Sequence, residues 1–317
     1  MSQRSERPLK IGLVLPIYEE DDGYIPRWNE IKALAQHGEA AGFDSLWVSD
    51  HLIYYFDGTD KPPHGVWECW SILTSLAAVT TRVELGTTVV CTSFRNPALL
   101  AKMADTVDEI SGGRLILGLG AGYHQPEFLA YGYPFDHLSG RFEESLQIIR
   151  GLLRNGKVDF QGQYYTAREC ELRPRGPTRL GPPILIGARP NRARALRLAA
   201  QYADYWNIFA VNQVGNLVPA LEALDAACVK AGREPATLQR TVTVVVDLPG
   251  LETDPSKGGF SNFYASKTPA TGTPDQLAEL LRNFARLGVG HVQIEMASMT
   301  KAAIDAFAPV LEILDRG

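Results

Sequence analysis

Short apolar runs alternate along the chain with longer stretches in which apolar side chains recur every three or four positions. The first kind fits buried strands and the second fits amphipathic helices packed on them. Residues 9–16 (LKIGLVLP) predict the first strand. Pro26 opens the first helix, whose Ile31, Leu34 and Ala35 share one face and which Gly42 ends. Residues 43–49 (FDSLWVS) predict strand two, followed by a polar and aromatic loop and a helix over 67–79. Strands three and four fall at 83–90 and 115–119, with helices at 97–110, where Asn96 is a ready cap, and at 141–154. The segment 157–165 carries FQGQYY, a strand–Gly–strand hairpin pattern that decorates the main alternation. Strand–helix pairs then follow at 183–186 with 192–202 and at 204–209 with 213–231. Strand seven is 241–246; after it comes a Gly/Pro/Ser-rich excursion over 248–271, and Thr273-Pro274-Asp275 caps a helix stopped by Gly288. Residues 291–295 are strand eight, and a helix over 301–314 closes the ring.

Eight β/α units in one unbroken alternation predict an α/β chain folded as a single (β/α)8 TIM-like barrel over 1–317. Insertions are expected near 52–66, 121–139, 157–181 and 248–271. Composition narrows the function. The 317 residues carry a net charge of −5 with no clustered basic face, which argues against nucleic acid as a partner. Cys69, Cys91, Cys170 and Cys228 lie far apart, so no disulfide framework or zinc site is suggested. No stretch approaches the ~20 apolar residues of a membrane span, and the apolar run 11–17 is too short for a signal peptide. A soluble cytoplasmic protein is the expectation.

In such a barrel the chemistry sits at the carboxyl ends of the strands. Asp50-His51 follows strand two directly: an imidazole there can move a proton near neutral pH, and a carboxylate can orient it. The alternative is that Asp50 caps a turn and His51 fills the barrel mouth. Leu117-Gly118-Leu119-Gly120-Ala121-Gly122 lacks the helix a dinucleotide fingerprint needs at its third glycine. It reads either as a strand end stripped for a flat ring or a phosphate, or as tight barrel packing. Gly187-Ala188-Arg189, ahead of Arg192 and Arg194, places a glycine, a helix N-terminus and arginines together, a candidate phosphate site. Arg95 reads as a surface residue or an anion contact, and Trp206 as core or as the wall of a ring site. Tyr54, Tyr55, Phe56, Phe260, Phe263 and Tyr264 either line an apolar substrate pocket or fold back on one another.

Several collinear stretches resemble the luciferase-like monooxygenase superfamily, and specifically its deazaflavin (coenzyme F420)-dependent branch: AGFDSLWVSDHL (41–52), 85–123 through ISGGRLILGLGAGY, RFEESLQIIRGLL (141–153), FQGQYY, PPILIGA (182–188) and LRLAAQYADYWN (196–207). The resemblance implies a flavin or deazaflavin across the carboxyl ends of the strands, with Asp50 and His51 near the reactive ring. It implies Thr87, Thr88 and Val89 as ring support, at a turn where many members have a non-prolyl cis peptide. Gly122 and its neighbours Gly120, Ala121 and Tyr123, with Gly187, Ala188 and Arg189, match positions that hold the cofactor's phosphate side. The reading is a hydride transfer between F420 and a small organic substrate, with His51 as acid/base and Asp50 as its orienter. The alternative on the same fold is an FMN-dependent monooxygenase fed by a separate flavin reductase. Some relatives have a Glu directly after the strand-four glycines; here Tyr123 and His124 stand there and Glu127 comes later. Two further rivals are a metal-dependent hydrolase using Asp50, His51, His64 or His291, and a non-catalytic flavin-binding protein. A homodimer is expected by family habit.

Overall fold

The computed structural model describes residues 7–20, 22–56, 62–209, 211–248, 250–251 and 268–316. The first half of the chain runs β1 (Lys10–Val14), α1 (Trp28–Ala41), β2 (Ser45–Val48), β3 (Ile53–Tyr54), β4 (His64–Gly65), α2 (Cys69–Val79), β5 (Glu84–Thr87), β6 (Val90–Cys91), α3 (Pro97–Ser111), β7 (Leu115–Gly120), α4 (Gln125–Ala130) and α5 (Leu138–Asn155). The second half runs β8 (Lys157–Gln161), β9 (Thr166–Glu171), β10 (Ile184–Gly187), α6 (Ala193–Tyr202), β11 (Tyr205–Phe209), α7 (Val218–Lys230), β12 (Gln239–Val246), α8 (Pro274–Arg286), β13 (Val289–Met296) and α9 (Lys301–Asp315).

Eight parallel strands pair in the order β10-β11-β12-β13-β1-β2-β5-β7, and β7 pairs back onto β10, so the sheet closes into the expected barrel. Helix starts follow local chemistry: the Asn96 side chain accepts from the Ala98 and Leu99 amides, Glu68 caps α2, and Thr273 forms a capping box with Gln276. The β8–β9 hairpin is antiparallel and stands outside the ring. Two short features were not predicted. The loop after β2 forms the β3–β4 ribbon, and the insertion after β7 contains α4. Strand three is also not continuous. It breaks at a cis peptide bond between Thr88 and Val89 and resumes as β6, where the family resemblance placed such a bond. Phe260, Phe263 and Tyr264, with most of the 248–271 excursion, lie outside the described residues.

Among the described residues, three clusters hold the apolar side chains, one of them a small group of Cys91, Phe94 and Phe128 at α4. The largest lies between strands and helices, and another small one of Val14, Trp47, Ile116 and Leu185, with Val89 against it, fills the barrel. The opposite interior wall is polar. His291 bonds the Ser45 hydroxyl (2.7 Å), and the Asn207 amide donates to Thr241 Oγ1 and to Gln293 Oε1, both at 2.9 Å. Burial, with the nearby Lys10 charge adding to it, pushes the His291 imidazole down to about 3. A neutral His in the fold and an ordinary one near 6.5 in the unfolded chain make the unfolded state bind the extra proton. Its contribution is whole above pH ~6.5 and falls by roughly 1.4 kcal/mol per pH unit below that, toward pH ~3. Urea unfolding at pH 7, 6 and 5 is expected to show this slope in the wild type and a shallower one in His291→Leu. Equal slopes would contradict it.

Candidate active site at the carboxyl end of the barrel

The carboxyl end of β2 delivers Asp50 and His51 to the barrel mouth, but not as a pair. Asp50 is buried and spoken for: Arg95 grips it with two bonds (Nη1 to Oδ2 2.6 Å, Nη2 to Oδ1 3.0 Å), and the Cys91 N–H donates to Oδ2 at 2.9 Å. Arg95 also donates to Glu68 Oε1 at 2.7 Å. Asp50 as the orienter of His51 is therefore corrected, and so is Arg95 as a surface residue. Successive residues at a strand end point to opposite sides, so neighbours in sequence do not converge.

The carboxylate that does hold His51 is Glu127. Its oxygens lie 2.9 and 3.2 Å from His51 Nδ1, and it also accepts the Leu52 N–H at 3.0 Å. Pro126 in the first turn of α4 starts that helix, and Glu127 next to it is turned inward and buried. A carboxylate accepting from Nδ1–H leaves Nε2 as the basic nitrogen of the ring. Around the imidazole stand Tyr54 (ring centroids 5.0 Å), Tyr123 (5.8 Å) and Tyr18 (6.0 Å). Burial holds the Tyr18 phenol well above the usual tyrosine range; a bond from Ser49 opposes this, while Tyr123, Glu295 and Tyr54 reinforce it, so Glu295 at the end of β13 faces the same mouth. The β3 and β4 aromatics pack on one another: Tyr54 stacks on His124 at 4.6 Å, and Phe56 meets Tyr54 and His64.

The ring-support residues divide. Val89 packs beside two glycine strand ends: a Cβ on Gly120 would sit 2.6 Å from its Cγ2, and one on Gly187 would touch its methyl groups at 3.5–3.7 Å. Thr88 precedes it across the cis bond and is partly exposed. Thr87 is not available, because its hydroxyl donates to the Gly118 carbonyl and accepts the Gly118 N–H, both at 2.9 Å. Gly122 takes a left-handed φ of +78° against Cys91 and Phe128, with Ala121 beside it. Trp206 is corrected as a ring wall. Strand alternation turns Asn207 inward and buries Trp206 among the helices, where its indole N–H holds the Ala188 carbonyl at 2.9 Å. The candidate metal ligands also separate: His64 bonds the Glu19 carbonyl, and His291 lies deeper on β13. Among the described residues no cluster of three or more His, Cys, Asp or Glu could hold a metal.

Between the N-termini of α5 and α6, a groove of about 680 Å³ is lined by His137, Ser139, Gln163 and Arg194, and by the carboxylates Glu143 and Glu144. Neither helix has a side-chain cap, unlike α2, α3, α8 and α9. Arg194 and Arg197 both pair with Glu143. Arg189, in the loop leading to α6, is exposed and has no ion-pair partner among the described residues.

Residues 9–248 match the family described as luciferase-like monooxygenase. The chain belongs to the luciferase-like monooxygenase family. A curated relative is pyrimidine monooxygenase RutA from Stutzerimonas stutzeri (strain A1501), 33% identical over 239 residues, which are 71% of this chain and 65% of the relative. The chain thus spans a little under two thirds of the length of that relative. Two solved structures share the fold. An F420-dependent secondary alcohol dehydrogenase in complex with an F420-acetone adduct has a TM-score of 0.78 at 18% identity, covering 96% of this chain and 99% of its own. The monooxygenase RslO1 from Streptomyces bottropensis has a TM-score of 0.76 at 22% identity, with the same coverage. Among the described residues no helix is long and apolar enough to cross a membrane.

Proposed function

We propose that this family member is a monooxygenase that uses reduced FMN delivered by a separate reductase, with His51 as its acid/base. This replaces hydride transfer to or from F420 as the leading reading. The F420 enzyme shares only the fold at 18% identity, whereas the relative at 33% identity is named a monooxygenase. The observation that carries the site is Val89 flanked by Gly120 and Gly187, with His51 held by Glu127 at the same mouth.

The residues present fit a flavin. Val89 can serve as a platform: it offers an apolar face, with no side chain from Gly120 or Gly187 beside it. The groove offers two uncapped helix N-termini, Ser139 and Arg194 to a phosphate, against the Glu143 and Glu144 carboxylates that also line it. When bound, reduced FMN supplies the electrons for activating dioxygen. Glu127 keeps the Nδ1 proton in place, so His51 Nε2 can take or give a proton at the substrate. Tyr18 and Tyr54, both buried, crowd the ring and exclude water on that side, while Tyr123 stands exposed at the rim. Glu295, half-buried at the end of β13, offers a hydrogen-bonding group at the mouth, which favours a small polar substrate, in line with the pyrimidine named for the 33%-identical relative. That differs from the apolar pocket that the loop aromatics suggested.

The test supplies purified protein with FMN, a flavin reductase and NADH, and follows oxygen uptake with uracil as the probe. Oxygenated product formed in step with oxygen consumed is the expected result. Anaerobic reduction of F420 by an alcohol, with no oxygenation, would reverse the reading.

A further inference from the structure

Arg95 sits where four structural features meet. It follows the turn after β6 and directly precedes Asn96, the cap of α3. Its guanidinium spans Asp50 at the end of β2 and Glu68, which caps α2 by accepting from the Trp70 and Ser71 amides. Asp50 in turn accepts the Cys91 N–H, the second amide after Val89. The Asp50 side chain is fully buried and Arg95 nearly so. One cation therefore ties together the end of β2, which carries His51, and the restart of β6, which carries the Val89 platform.

We infer that Arg95 is a positioning residue: acting through Asp50 and the Cys91 amide, it sets the height and tilt of the Thr88–Val89 turn against which the cofactor ring lies, and its spacing from His51. This rests on the reading above that a flavin ring lies on that turn. The argument separates Arg95 from a plain neutralising charge. A fork of planar N–H donors makes two parallel bonds to one carboxylate and still reaches a second. A lysine ammonium at the end of a flexible stem would neutralise Asp50 but could not impose that geometry. If the role were charge alone, Lys would serve.

The test uses the full chain loaded with FMN and reads the visible circular dichroism of the bound flavin, with amide exchange at Cys91 as a readout that needs no cofactor. Arg95→Lys is expected to fold and bind FMN, yet to show an altered visible band and faster Cys91 exchange. Its kcat should fall on the order of 10–100-fold with the substrate KM little changed. An Asp50→Asn/Arg95→Met double variant leaves no charge buried in the clamp and is expected to reproduce the same band. A folded variant with the wild-type band and wild-type Cys91 protection overturns the inference while leaving the proposed function standing. If neither variant folds, the clamp serves folding and the positioning role is overturned. If the wild type gives no band with FMN, the ring reading fails and this inference with it.

Discussion

Replacing His51 with Ala is expected to lower turnover by about 10²–10⁴-fold while leaving FMN binding close to that of the wild type. The expectation rests on the ring's fixed geometry. Glu127 engages Nδ1 and the adjacent Leu52 amide, so the imidazole presents Nε2 as its proton-accepting nitrogen. Removing the imidazole removes the proton acceptor but not the Val89 platform or the groove. Glu127→Gln should lower turnover too, though less, because an amide can still meet Nδ1–H while no longer stabilising the charged imidazolium. Steady-state kinetics beside FMN titrations check both. An Ala variant that turns over like the wild type would remove His51 from the mechanism.

The largest expected effect on stability comes from Gly118→Ala. A Cβ there would lie 1.8 Å from the Thr87 carbonyl oxygen, a backbone atom that no rotamer change can move. Thr87 and Gly118 are also joined by two 2.9 Å bonds, so the strands cannot separate locally without losing both. The cost should exceed about 4 kcal/mol, either yielding no soluble protein or lowering Tm by roughly 10 °C. Gly215→Ala is the control, since no atom lies within 4 Å of its added Cβ. A Gly118→Ala protein that melts with the wild type would show that β5 and β7 do not meet as described.

The barrel was legible because its signal is periodic. Apolar runs and helical faces repeat through the chain, and caps such as Asn96 and Thr273 act locally. The site was legible only in part. That Asp50 and His51 stand at the end of β2 follows from order along the chain, but their partners do not. Glu127 reaches His51 across 76 positions, through a six-residue helix inside a segment read as an insertion. Arg95 reaches Asp50 across 45 positions from a turn whose surroundings gave it no periodic mark. Trp206 was open to a strand argument: on β11 the inward side chain is Asn207, so its neighbour faces the helices. Glycines at 118, 120 and 122 were read as equally suited to a ligand or to packing. The structure shows packing at all three, and at Gly120 the packed partner is Val89.

The central claim is that the mouth of this barrel holds FMN in preference to a deazaflavin. A paired equilibrium titration of the purified protein with FMN and with F420, followed by fluorescence and absorbance, tests it most directly. The account expects saturable binding of FMN with at least tenfold weaker binding of F420. Tighter binding of F420 would contradict it and return the chain to hydride transfer.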